Sequence, residues 1–156
     1  MLSTHHTAYV GLGANLGDSS ASITLALAQL NHIPNTCVSA SSALRTTKPW
    51  QASGPDYTNA VAQLITQLDP ESLLNALQAI EQQFGRVRSY RNAPRNLDLD
   101  LLLFDELIYT SASLTLPHPR MHERTFVLEP LLELNPDINI PGIGLASASF
   151  KKCLSV

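Results

Sequence analysis

Apolar and polar positions alternate along this chain in two distinct periods. Residues 8–12 form a short apolar run that predicts a strand, and residues 13–18 read as a turn. Asp18 or Ser19 stands as the N-cap of a helix reaching about Ile33, with Pro34 ending it. Residues 37–46 alternate loosely and predict a strand. Residues 47–56, which hold Pro49, Gly54 and Pro55, predict a loop, and residues 57–68 alternate well enough for a second long strand. Asp69-Pro70-Glu71 marks a helix start, with an N-cap, a proline at the first helical position and an acid in the first turn. Leu73, Leu77, Ile80 and Phe84 follow at helical spacing, and Gly85 suits the position just past the end. Residues 86–96 are a polar loop. Residues 97–104 predict a strand, Asp105-Glu106 a turn, and residues 107–109 a further short strand. Pro117-His118-Pro119 is rigid loop, and residues 124–134 read as a helix whose start Pro130 limits. The C-terminal stretch is weakly patterned. The order βαββαβ predicts an α+β, ferredoxin-like fold, an antiparallel sheet with helices packed on its faces and additional C-terminal turns and helices.

Composition adds limits. At 156 residues, 44% hydrophobic and 15% charged, residues 1–156 suit one domain that buries a core without disulfide or metal staples. A net charge of −3 argues against a general nucleic-acid surface but allows a local basic site. The two cysteines, Cys37 and Cys153, are far apart with no CxxC, and read as reduced thiols of a cytoplasmic protein. MLSTHHTAYVGLG has neither a basic segment nor a long apolar one, so no signal peptide is visible, and residues 1–7, with His5 and His6, read as a mobile tail. Residues 19–44 lack charge, but Asn31, His32, Pro34 and many serines make them unfit to span a bilayer.

The chemistry concentrates in NAPRNLDLDLLLFDE. On a strand, Asp98, Asp100 and Leu102 share one face and Leu97, Leu99, Leu101 and Leu103 the other. Carboxylates two residues apart on a strand lie about 7 Å apart and can converge on one cation, whereas on a helix they would diverge. Oxygen-only ligands suit Mg²⁺, which takes one or two carboxylates and completes its shell with phosphates and water. The plain alternative is an exposed strand edge with ordinary charges or salt bridges. Yet Arg86, Arg88, Arg91 and Arg95 precede the pair and Arg120 and Arg124 follow it, six of the ten Lys and Arg residues in the chain. That leaves positive charge over, which a metal–triphosphate would use. GLGANLGD is not a dinucleotide fingerprint: it spaces its glycines GxGxxxG, no acid occurs between Asp18 and Asp56, and no GxxxxGK[ST] exists. Asn15 in that turn is a further candidate to face a ligand.

Seven motifs in order, YVGLGANLGD, LRTT, PDYTNAV, IEQQFGRVR, APRNLDLDLLLF, LPHP and ERTFVLEPL, together resemble the 6-hydroxymethyl-7,8-dihydropterin pyrophosphokinase family of folate biosynthesis. The resemblance implies transfer of the β,γ-diphosphate of ATP to the hydroxymethyl oxygen of the pterin, releasing AMP. It implies two Mg²⁺ ions held by Asp98 and Asp100, and mobile catalytic arginines at Arg86 and Arg95. It implies ATP contacts at Gln78, Glu81, Arg88, Arg95, Leu101, Thr115, His118 and Arg124, and a pterin pocket of Thr46, Thr47, Pro49, Tyr57, Asn59 and Phe126. The implied partners are ATP and the pterin, with no nucleic acid or membrane, and a monomer is expected. A flat pterin with amide-like edges calls for aromatic stacking and a side-chain amide, which Phe126, Tyr57 and Asn59 supply. The arginine-rich loop 86–95 is expected to be mobile without ligand and to close over ATP. The chain departs from the family in four places: Asn92-Ala93 stand where a tryptophan is common, with Tyr90 nearby; the loop from Gly85 to Arg95 is one residue shorter than in some members; Ser113 stands where some members have an ATP-contacting arginine; and the pterin loop reads TTKPWQASG, bringing in Trp50. Two rivals remain: a nucleotidyltransferase with the same two-metal chemistry, and a ligand-binding regulatory module of ferredoxin-like fold.

Overall fold

The computed structural model describes residues 4–15, 18–47, 57–85 and 97–155. Its elements run β1 (His6–Ala14), α1 (Ser19–Leu30), β2 (Thr36–Ser41), β3 (Arg45–Thr47), β4 (Tyr57–Thr66), α2 (Pro70–Gly85) and β5 (Asp98–Phe104). A small hairpin follows, β6 (Tyr109–Thr110) with β7 (Thr115–Leu116), then a 3₁₀ turn at Met121–Glu123 and α3 (Thr125–Leu134). A second hairpin, β8 (Asn139–Ile140) with β9 (Gly144–Leu145), leads into α4 (Ala146–Leu154). The main sheet is antiparallel, ordered β2-β4-β1-β5, with β3 also paired to β4. This is the ferredoxin-like arrangement read from the element order.

Both faces of the sheet are covered. Ile23, Ala26 and Leu30 of α1 and Leu73, Leu77 and Ile80 of α2 pack with Val10, Leu12, Leu64, Leu99 and Leu101. On the other face Val127, Leu128 and Leu131 of α3, with Met121, Ile138 and Ile140, pack with Tyr9, Val61, Leu102 and Leu103. No helix among the described residues is long and apolar enough to cross a membrane.

Several sequence-based boundaries move, each for a local reason. Residues 6 and 7 are not tail: His6 and Thr7 open β1, where the His6 Nδ1 lies 2.7 Å from Asp105 Oδ2 and the Thr7 N–H donates to Asp105 Oδ1 at 2.8 Å. At the other end β1 runs through Gly13 to Ala14, so the turn starts later than the glycines suggest. Asp18 is the N-cap of α1, accepting from the Ala21 N–H, and the helix stops at Leu30, where the side-chain oxygen of Asn31 accepts from the Val38 N–H instead. The loose alternation over 37–46 is two strands, because Ser42 leaves the ladder and bonds Val61 through both its N–H and its hydroxyl. The apolar trio at 107–109 is not a strand of its own: Leu107 and Ile108 are exposed and pairing begins at Tyr109. Pro130 sits inside α3, where it removes only the bond to the Phe126 carbonyl in the first turn.

Strand β5 also breaks its expected alternation. Tyr9 pairs with Leu103 but Val10 with Leu101, so Leu102 is an extra residue, a β-bulge. Leu103 therefore joins Leu102 in the α3-side core rather than Leu97, Leu99 and Leu101 on the α1–α2 side, and Phe104 returns to the latter.

The strand carrying Thr46 and Thr47 is anchored to α3. Arg45 reaches Glu133 at 2.7 Å and Glu129 at 3.4 Å, and the Ala43 N–H donates to Glu133 Oε2 at 3.0 Å. The Ala43 N–H chiefly, helped by Arg45 and opposed by desolvation, holds the Glu133 carboxyl below its ordinary value.

Two outcomes follow for stability. Leu77→Ala, at a fully buried site, should cost about 2–5 kcal/mol, whereas Leu25→Ala, at a residue 60% exposed, should stay within about 0.5 kcal/mol of the parent; urea unfolding measures both. A carboxyl with a depressed folded pKa stabilises above its unfolded pKa and loses that effect as pH falls through the folded one. Glu133→Gln should therefore be less stable than the parent at neutral pH, and the gap should close as pH falls below the ordinary value of 4.5. Melting curves at pH 7 and at successively lower pH check it.

Candidate active site

A cleft of about 440 Å³ lies between α2, the outer edge of β5, the β6–β7 hairpin and the segment at His118-Pro119. Asp98, Asp100, Gln78, Glu81, Leu101, Thr115 and His118, all inferred from the sequence, line it together. Gln78 and Glu81 come from one side of α2, three residues apart. Leu101 is 3% exposed and belongs mainly to the core beneath the cleft.

The two aspartates stand on the β5 face that alternation predicts, and the neighbouring strands give this face its shape. Gly13 pairs with Asp98 on one side and Asn59 on the other; Gly11 pairs with Asp100 and Val61. Paired residues of antiparallel strands share a face, so Asn59, Gly13 and Asp98 form one row across the sheet. The outer two are roughly 10 Å apart, two strand spacings of about 4.8 Å, and the residue between them has no side chain. A Cβ on Gly13 would come within 3.4 Å of the Asn59 Oδ1, and one on Gly11 within 3.6 Å of Leu102. These glycines, Gly11 read beforehand within a short strand and Gly13 as the start of a turn, are the floor between an amide and two carboxylates. Their period-two spacing, matching that of Asp98 and Asp100, was the available signal.

Glu81 takes a different part from a plain ligand contact. Its Oε2 accepts from the Leu99 N–H at 2.8 Å. Leu99 lies between the two aspartates on a strand paired, among the described residues, only with β1, so Glu81 secures the backbone that carries them.

His118 is fixed by its own main chain and ring. Its N–H donates to the Leu102 carbonyl at 2.9 Å, and Nδ1 accepts from the Arg120 N–H at 3.1 Å, leaving Nε2 to carry the proton. Burial is the main force lowering its pKa from 6.5; the charge of Asp100 opposes this, and Arg124 and Arg120 add to it. The ring is thus a neutral donor at neutral pH. Arg124 stands just before α3 with its guanidinium 5.7 Å from the centre of the Phe126 ring, which is 40% exposed.

The residues inferred for a pterin pocket divide. Thr47, Tyr57 and Asn59 share the face of Gly13 and Asp98, through the pairs Thr47–Tyr57 and Arg45–Asn59. Asn59 is 6% exposed and its Nδ2 donates to the Thr47 Oγ1 at 2.8 Å. Thr46 pairs with Thr58 and so alternates onto the opposite face, which leaves only its main chain near this row. Phe126 lies on the helix that covers the Asn59 face. Arg86, Arg88, Arg95 and Pro49 lie outside the described residues, as do Trp50, Tyr90, Asn92 and the loop 86–95. Among the described residues no three His, Cys, Asp or Glu side chains converge as a ready metal cage; Asp98 and Asp100 are a two-carboxylate set. Cys37 and Cys153 are free thiols.

Comparison with known proteins bears on this geometry. Residues 9–136 match the family described as 7,8-dihydro-6-hydroxymethylpterin-pyrophosphokinase. A 2-amino-4-hydroxy-6-hydroxymethyldihydropteridine pyrophosphokinase of Pseudomonas aeruginosa is 46% identical over 134 residues, 85% of this chain and 83% of that protein. The protein of the same name from Haemophilus influenzae is 42% identical over 136 residues, 86% and 85% of the two chains. The folic acid synthesis protein fol1 of Schizosaccharomyces pombe is 40% identical over 135 residues, and this chain spans 86% of itself but 18% of that longer protein. A Plasmodium falciparum HPPK-DHPS structure superposes with a TM-score of 0.78 over 98% of this chain and 46% of that one; at 12% identity it speaks to the fold alone. A match that runs from β1 through both aspartates to α3, at 46% identity to a relative of similar length, makes this chain a member of the 7,8-dihydro-6-hydroxymethylpterin-pyrophosphokinase family.

Proposed function

We propose that this chain transfers the β,γ-diphosphate of ATP to the hydroxymethyl group of 6-hydroxymethyl-7,8-dihydropterin, releasing AMP, as a step of folate biosynthesis. The observation that carries this reading is the row Asn59–Gly13–Asp98, with Asp100 one pair further along. An amide suited to a pterin edge and carboxylates suited to a metal–phosphate face the same side of the sheet. The bare glycine floor leaves space between them for the reacting atoms.

Asp98 and Asp100 would hold Mg²⁺, and the residues fit. Both are acceptor-only groups on one strand face, and Gly11 and Gly13 leave the opposite positions empty of side chains. Two carboxylates are what Mg²⁺ uses when phosphates and water complete its octahedron. Two ions are the proposed number; when bound they neutralise the phosphates and help activate the attacking hydroxyl.

The remaining roles belong to the protein's own groups. Asn59, steadied by Thr47, reads the donor–acceptor edge of the pterin, while Phe126 and Tyr57 offer ring faces for stacking. The neutral His118 Nε2–H donates to a phosphate oxygen without adding a charge, and Arg124 supplies a permanent one. Arg86, Arg88 and Arg95 are proposed to neutralise the transferred group and ATP. Attack at the β-phosphorus forms the new P–O bond as the bond to the AMP oxygen breaks, so positioning and charge neutralisation dominate the chemistry. The deciding experiment mixes the protein with Mg²⁺, ATP and the dihydropterin alcohol. AMP with pterin diphosphate supports the reading, whereas pyrophosphate release would assign a nucleotidyltransferase, and no turnover a binding module.

Asp98→Asn and Asp100→Asn should each lower kcat about a hundred- to a thousandfold, the range for losing one electrostatic stabiliser of a transition state. The thermal stability of Asp100→Asn should hold or rise slightly, because one of two like charges is gone. Near-parental rates at saturating Mg²⁺ would remove the metal assignment. Asn59→Ala and Phe126→Ala should weaken pterin binding more than ATP binding. The first loses a hydrogen-bonding edge of about 1–3 kcal/mol; the second loses a stacking face of about 0.5–1.5 kcal/mol beyond its buried area. Calorimetry with each ligand separately checks this, and equal losses for both would place these residues elsewhere.

A further inference from the structure

The acid in the first turn of α2 has a task that its helix does not require. Asp69 already caps that helix, with its Oδ1 accepting from the Ser72 N–H at 2.8 Å. The Glu71 carboxylate is turned outward to the β6–β7 hairpin and takes three hydroxyl donors from it. Oε2 accepts from the Tyr109 hydroxyl at 2.8 Å and the Ser111 hydroxyl at 2.5 Å, and Oε1 accepts from the Ser113 hydroxyl at 2.6 Å.

The hairpin needs such a hold. Its strands have two residues each and pair only Tyr109 with Leu116 and Thr110 with Thr115, too little for independent stability. Leu114 and Leu116 anchor one side in the core. The tip, Ala112 and Ser113, is exposed and faces the cleft. Ser111 passes the constraint into the main chain there, its Oγ accepting from the Leu114 N–H at 3.1 Å and the Ser113 N–H at 3.3 Å.

The cleft has two unlike ends. Asp98, Asp100 and His118 make one end charged or titratable, whereas Leu74 and residues 111–115 carry no charge. A polyphosphate belongs at the first; a purine and its ribose need the neutral walls, hydroxyls and main-chain edges of the second. Glu71, Leu74, Gln78 and Glu81 follow helical spacing on α2, so one stripe faces both hairpin and cleft.

We propose that Glu71 is a positioning residue of the nucleotide cleft. It clamps the β6–β7 hairpin to the first turn of α2, so that residues 111–115 form the wall for the base-and-ribose end of ATP. This rests on the pyrophosphokinase reading above. The hydroxyls of Ser111, Ser113 and Tyr109, in that order, hold the Glu71 carboxyl below its ordinary value against some desolvation, which keeps it an ionised acceptor.

The test uses the full chain, a non-hydrolysable ATP analogue with Mg²⁺ in calorimetry, and steady-state AMP release. Glu71→Ala should raise the analogue Kd and the ATP KM about tenfold, the effect of losing a charged hydrogen-bond acceptor. Its kcat at saturating ATP and its pterin KM should remain close to parental. Glu71→Gln, which keeps one carbonyl acceptor, should recover most of the loss. Hydrogen exchange over residues 111–115 should be faster in ligand-free Glu71→Ala. Ser113→Ala, at an exposed tip residue, gives a smaller rise in ATP KM and serves as the test should Glu71→Ala not fold. A parental ATP KM in a folded Glu71→Ala, or in Ser113→Ala in its place, overturns the proposal. So does a fall in kcat at saturating ATP, or an equal loss of affinity for both substrates. A parent protein that neither binds the analogue nor releases AMP overturns the pyrophosphokinase reading itself, and does so without any variant.

Discussion

The register of β1 between β4 and β5 is the constraint on which the site depends. A slip of one residue would invert every side chain of that strand. Gly11 and Gly13 would then leave the floor, and Val10, Leu12 and Ala14 would crowd the carboxylates instead of filling the α1–α2 core. Burial and site are thus specified by the same ladder. Val10, Leu12 and Ala14 of β1 are buried in the α1–α2 core, and that choice puts the glycines opposite Asp98 and Asp100.

The Leu102 bulge divides one strand between two tasks. Up to Asp100, β5 alternates, with polar groups toward the cleft and leucines into the core. Beyond it, Leu102 and Leu103 both pack under α3. The extra residue ends the polar face and starts the second core without ending the strand, a use of bulges common beside functional sites. The Leu102 carbonyl also receives the His118 N–H, so the histidine is tied to the point where cleft gives way to core.

Several acids of this chain act as backbone acceptors. Glu81 takes the Leu99 N–H, Glu133 the Ala43 N–H and Asp105 the Thr7 N–H. Each N–H lies at a strand edge or end, where the ladder offers no partner and an unpaired donor would be costly. A slightly acidic chain therefore spends carboxylates on securing the sheet, while Asp98 and Asp100 present theirs toward the cleft.

Local physical chemistry made much of this protein legible beforehand. The period-two alternation of β4 and of β5 up to Leu101, the Asp69-Pro70-Glu71 helix start and the shared face of Asp98 and Asp100 all depend on neighbours a few residues apart, so a sequence displays them directly. What depends on partners distant in the chain did not show. The bulge exists because β5 must meet β1 and α3 together. Thr47, and not Thr46, takes the face of Asn59 because the register with β4 decides which of two alternating neighbours it is. His6 joins the sheet because Asp105, 99 residues away, receives it. Gly13 becomes a floor only when Asn59 and Asp98 flank it. Local periodicity tells a residue which way it points relative to its neighbours; only the folded sheet decides what stands opposite, and the chemistry of this site is made of what stands opposite.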